Sequence, residues 1–139
     1  MIRAVLDTNV YVAALLSRSG TPARLMRALG DGLFDAVACP RLLAELRGVL
    51  ARPRIAERVD AETAAAFVLW LERVTVSVPD PETIQHVSPD PDDDYLLALA
   101  LIGRAQVIVS GDAHLLGLRD STPRTISPAV FAELVEGLR

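Results

Sequence analysis

The stretch PDDDYLLALALIGRAQVIVSGD, residues 91 to 112, sets a helix and a strand in series and places carboxylates at their outer ends. Asp92, Asp93 and Asp94 stand one residue, Tyr95, before residues 96 to 102, which carry no polar side chain on any face, so the run reads as a helix built for burial. VIVSG, 107 to 111, reads as a strand, and Asp112 follows it. A helix feeding a strand is the repeating unit of a parallel sheet.

Outward from this unit the alternation continues. IRAVL, 2 to 6, is an apolar run ending at Asp7, and a partly helical pattern follows to Leu16. After the break SRSGTP, Ala23, Leu25, Met26 and Leu29 recur at helical spacing until glycines stop them. DAVAC, 35 to 39, predicts a second strand, and Pro40 opens a helix through LLAELRGVLA. A helix over 61 to 73 stands behind an Asp60 cap, and VTVSV, 74 to 78, predicts a β-branched strand ended by Pro79. RTI, 124 to 126, is a candidate fifth strand, and Pro128 opens a closing helix. The expectation is one α/β domain over residues 1–139, built on a parallel sheet.

The chain has 139 residues and is 51% hydrophobic, enough for a core without covalent staples. The single cysteine, Cys39, excludes an internal disulfide and a Cys-rich zinc site, and is read as a small buried filler. Asp7 interrupts the N-terminal apolar run too early for a signal peptide, and no apolar stretch has the length of a membrane span. A cytoplasmic protein with no membrane association is expected. The net charge of −4 is unevenly spread: residues 18 to 58 carry eight arginines against four acids, whereas 59 to 139 carry five against thirteen. Such asymmetry fits a basic binding surface beside an acidic feature, and equally fits solvated helix faces. All fourteen basic residues are arginine.

In open α/β sheets the ligand site lies beyond the carboxyl ends of the strands. Asp7 follows the first strand and Asp112 the strand at 107 to 111, while Glu45 falls at the margin of the apolar stripe of its helix. Asp94 has Leu97, Ala98 and Leu101 as helical neighbours, which sets it at the mouth of the core. Singly, each acid has an ordinary role as helix cap, Asx-turn or surface ion pair. Together they would repel unless protonated or bridged by a cation. A hard divalent ion, Mg²⁺ or Mn²⁺, suits an all-oxygen set, and His86 and His114 lack a paired zinc spacing.

DTN at 7 to 9, Glu45 within LLAEL, DDYLLALA at 93 to 100 and VIVSGD at 107 to 112 together resemble the PIN-domain ribonucleases. The resemblance spans essentially the whole chain and is closest to small prokaryotic toxins of toxin–antitoxin systems, of the VapC type. It implies a Rossmann-like three-layer α/β/α fold with a parallel sheet of about five strands. It also implies a nuclease site in which Asp7, Glu45, Asp94 and Asp112 hold Mg²⁺ or Mn²⁺, with Asp93 as the reserve for Asp94. Thr8, Asn9 and Ser110 match small polar groups that orient ligands or water. His114 stands where many relatives have a further acid, which weakens a second metal position or turns the histidine to substrate.

The implied reaction is hydrolysis of RNA phosphodiester bonds, with flanking phosphates held by arginines such as Arg18, Arg24 or Arg41. The implied partners are an RNA substrate, a small cognate antitoxin and a second copy in a homodimer. The rival of another class is a non-catalytic PIN-like module that docks a partner protein or RNA. Dehalogenase-like phosphatases, response-regulator receivers and P-loop enzymes rely on a lysine, and this chain has none.

Overall fold

The computed structural model describes residues 1–82, 84, 86, 90–117 and 123–139, apart from the side chain of residue 114. Five short strands form one all-parallel sheet: β1 (Arg3–Leu6), β2 (Asp35–Ala38), β3 (Val76–Ser77), β4 (Val107–Val109) and β5 (Arg124–Ile126). Their order is β3-β2-β1-β4-β5, with β1 at the centre. Leu6 pairs with Val109 and Ala4 with Ala36, so the carboxyl ends of β1 and β4 finish side by side.

Between β1 and β2 lie α1 (Thr8–Leu16) and α2 (Thr21–Gly30). Between β2 and β3 lie α3 (Pro40–Leu50), α4 (Pro53–Ala56) and α5 (Ala61–Val74). Then α6 (Pro91–Ile102) leads to β4, α7 (Ala113–Leu116) to β5, and α8 (Pro128–Glu136) follows. The chain first builds outward from β1 to β3, then returns across the sheet to β4. Right-handed crossovers therefore put α6 on the face opposite α1 to α5, which gives the three α/β/α layers. Among the described residues no helix is long and apolar enough to cross a membrane.

Local chemistry sets the helix ends. Asp60 accepts from Thr63 N at 2.7 Å and caps α5, and Ser127 caps α8 by accepting from Val130 N at 3.2 Å. Proline occupies the first turn of α3, α6 and α8, where its missing N–H costs nothing. The expected strand at 74 to 78 shrinks to Val76–Ser77 because α5 runs on through Val74. Thr75 closes that helix, its hydroxyl and its N–H both donating to Leu71 O. Thus α5 takes part of the β-branched run, and β2 pairs with only the two residues beyond it. The short helices α4 and α7 had no counterpart in the sequence reading.

Ala4, Val5 and Leu6 of β1 are fully buried, as are Tyr11, Phe34, Phe131 and Leu99 around them. Phe34 and Phe131 meet edge to face, 4.9 Å between centroids, joining β2's approach to α8. Cys39 is buried too, its Sγ 2.8 Å from the Tyr95 hydroxyl. Gly103 ends α6 directly against β2, and a Cβ there would collide with both methyls of Val37. Rotating the valine brings one methyl where the other was. Gly103→Ala should therefore cost about 1 to 3 kcal/mol by overpacking, read as a lower urea midpoint with unchanged slope. An unshifted midpoint would show that the α6–β2 contact yields freely.

Candidate metal centre

The sheet reverses its building direction between β1 and β4, and ligand crevices form at such a point. Asp7 stands there because β1 ends at Leu6 and α1 begins at Thr8. Its N–H extends the ladder to Val109 O at 3.0 Å. Its Oδ1 accepts from Asn9 N and from Thr8 Oγ1, each at 3.3 Å, and its Oδ2 accepts from Ser110 Oγ at 2.9 Å. Ser110 is fully buried, and its Oγ in turn accepts from Asp112 N at 3.0 Å. One hydroxyl thus ties together the ends of two adjacent strands and fixes Asp7 relative to Asp112.

The mouth of α6 supplies further acids. Asp90 caps the helix, accepting from Asp92 N at 2.9 Å, so the cap falls before Pro91 and not on the three aspartates after it. Carboxylate oxygens of Asp90, Asp93 and Asp112 all lie within 4.8 Å of one another. Asp93 is 2% exposed and lines the cleft. Asp94 is as deeply buried but does not line it; its Oδ2 lies 3.4 Å from His86 Nδ1. Of the two acids named for α6, Asp93 is the one that lines the cleft. Successive residues of a helix point about 100° apart, and here that step turns Asp94 away from the cleft that Asp92 and Asp93 line.

The cleft has a volume of about 260 Å³, and its lining includes Asp7, Thr8, Asn9, Glu45, Asp93 and Asp112. Glu45 is exposed on α3, yet partial burial, then Asp92 and Asp7, hold its carboxyl above the usual range against the opposing pull of Arg41 and Arg52. Arg52, Asp90 and Asp92, also at the cleft, were missed in the sequence reading. The SPDPDDD run offered a signal for Asp90, since Asp before Pro is a strong cap-and-first-turn pair. The side chain of His114 lies outside the described residues, so its expected role is not placed. Arg24, one of the three suggested phosphate holders, is instead engaged by Glu136 at 2.6 Å.

The donor set fits a hard divalent cation. The acids that converge here offer oxygen, no histidine or cysteine lines the cleft among the described residues, and the clustered charge favours a counter-ion. Oxygens about 2.1 Å from one Mg²⁺ stand at most ~4.2 Å apart, so only a small contraction of the cluster completes the grip. A larger groove of about 560 Å³, lined by Leu50, Val59, Ala61 and Val68 among others, contains no acid and cannot do this.

A family model described as "PIN domain" matches residues 3–114, a span that contains every acid of the cleft. The chain is also similar to MJ1680, an uncharacterized protein of Methanocaldococcus jannaschii. The two are 26% identical over 119 residues, which covers 86% of this chain and 76% of the relative.

Proposed function

The chain belongs to the PIN-domain family, and from that premise we propose that it is a metal-dependent endoribonuclease, the toxin of a type II toxin–antitoxin pair. The observation that carries the nuclease reading is the gathering of Asp7, Asp93, Asp112 and Glu45 in one cleft at the sheet's reversal point. Asp93 and Asp112, with Asp90 beside them and Asp7 in the same cleft, would hold Mg²⁺ or Mn²⁺. A bound divalent ion supplies activation of water and charge stabilisation of the leaving oxyanion.

The chain's own groups do the rest. Ser110 and Thr8 each donate to Asp7, so its carboxylate keeps one orientation through the reaction. Glu45, whose carboxyl is held above the usual range, is suited to take a proton from the attacking water. The P–O bond to the leaving oxygen breaks, and that oxygen must gain a proton from solvent or from the proton Glu45 has taken. The toxin assignment rests on the resemblance to VapC-type proteins. A small antitoxin is the partner it calls for, and a homodimer in the cytoplasm is its setting.

The test is incubation of the purified chain with a labelled single-stranded RNA pool and Mn²⁺ or Mg²⁺, beside Asp7→Asn prepared identically. Cleavage by the first and not by the second supports the reading. Equal cleavage by both marks a contaminating nuclease, and cleavage by neither, with no ion bound in calorimetry, favours the non-catalytic module.

A further inference from the structure

An acidic cleft repels a polyanion, so the arginines near it matter. Arg24, Arg47 and Arg139 are engaged by Glu136, Glu72 and Asp31. Arg41 and Arg52 are different. Both are exposed, and among the described residues neither guanidinium has a hydrogen bond or ion pair, although both act electrostatically on Glu45.

Their placement follows from α3. Positions 41, 45 and 49 fall within about 80° of one another around a helix at 100° per residue, so they share a stripe of α3, and Arg52 follows just past the helix's C-terminal end. Glu45 and Val49 of that stripe, with Arg52 beyond its end, line the cleft. Arg41, at the helix's start, lies with its guanidinium 4.0 Å from the centroid of the Tyr95 ring, and Tyr95 lines the cleft as well. Burial pushes the Tyr95 hydroxyl well above its usual range, so the ring is a neutral platform that pre-orients Arg41. The acids are thus bracketed by one cation at each end of α3.

We propose that Arg41 and Arg52 hold backbone phosphates on either side of the scissile one, so that the cleft takes a single strand several nucleotides long. The eleven residues of α3 rise roughly 16 Å, which sets the scale of the distance between them. A stacked strand advances about 3.4 Å per nucleotide. The two arginines therefore reach phosphates about four to five nucleotides apart, and fewer once the strand is extended. A dinucleotide cannot reach both. This rests on the nuclease reading for the position of the scissile bond, but not for binding itself.

The experiment separates the two. Fluorescence anisotropy of a labelled single-stranded RNA octamer, with Ca²⁺ in place of Mn²⁺, is measured for the wild-type chain, Arg41→Ala and Arg52→Ala across a salt series. Each substitution should weaken binding about threefold to tenfold, and each should lower the log K against log salt slope by about 0.7. Arg52→Lys should recover most of the slope. Mn²⁺ affinity of the protein alone, by calorimetry, should hold or tighten, and dinucleotide cleavage in Mn²⁺ should change less than octamer cleavage. Wild-type binding that both alanine variants retain, a wild-type chain that binds no octamer, or equal losses on octamer and dinucleotide would overturn the proposal. Arginine-dependent binding without any turnover would sink the nuclease reading alone.

Discussion

Asp93→Asn should slow RNA cleavage at least about a hundredfold, whereas Asp94→Asn should stay within about tenfold of wild type. The magnitude follows from the expected role: losing a partner that merely supports a metal ligand costs about 10- to 100-fold, and losing a ligand costs no less. Asn keeps the shape and one oxygen but gives up the charge that holds a hard cation. The contrast follows from geometry. Asp93 groups with Asp90 and Asp112, whereas Asp94, one residue on, lies against His86. Asp94 is 1% exposed, so its variant also needs a folding check by circular dichroism. The measurement is initial rate on one labelled RNA at saturating Mn²⁺. A folded Asp94→Asn that loses activity as completely as Asp93→Asn would return the fourth acid to Asp94.

That choice shows where the sequence ran out. Asp7 and Asp112 were legible because strand ends are sharp, and in a parallel sheet the residue after a strand has a defined place. Glu45 was legible as a marginal residue on an amphipathic helix. The phase of α6 was not, since residues 96 to 102 are apolar all round and give no period to read. The row from Asp94 through Leu97 and Ala98 ends at Leu101, which is 62% exposed. The row from Asp93 passes Leu96, Leu97 and Ala100, all buried. Only tertiary packing makes that distinction. The same holds for β3, where a β-branched run favoured strand and the advancing helix α5 took Val74. Arg52 escaped notice because it lies past the end of α3, where helical periodicity no longer places a side chain. The excess of arginine in residues 18 to 58 includes Arg52 without singling it out.

Mn²⁺ at about a hundred times its dissociation constant should stabilise the fold by about 2.7 kcal/mol, raising the thermal midpoint by roughly 5 to 10 °C for a chain of this size. EDTA should reverse the gain. Asp93→Asn should melt higher than wild type in EDTA, because one of three close carboxylates is neutralised, and should gain much less from Mn²⁺. The pH dependence gives an independent check through Glu45, whose carboxyl is raised above its ordinary value chiefly by burial, then by Asp92 and Asp7. Without the ion, the folded chain keeps this proton in a window where the unfolded chain has released it. Its contribution to stability is therefore most favourable below the ordinary glutamate value and is lost as pH rises through the higher folded one. With the ion the sign inverts, since ligands must be ionised to bind, and the Mn²⁺ increment should grow across the same window. Paired melts from pH 4 to 7, with Mn²⁺ and with EDTA, should give two curves that diverge as pH rises. Parallel curves, or a wild-type midpoint indifferent to both additions, would mean that the carboxylates do not act together on a cation.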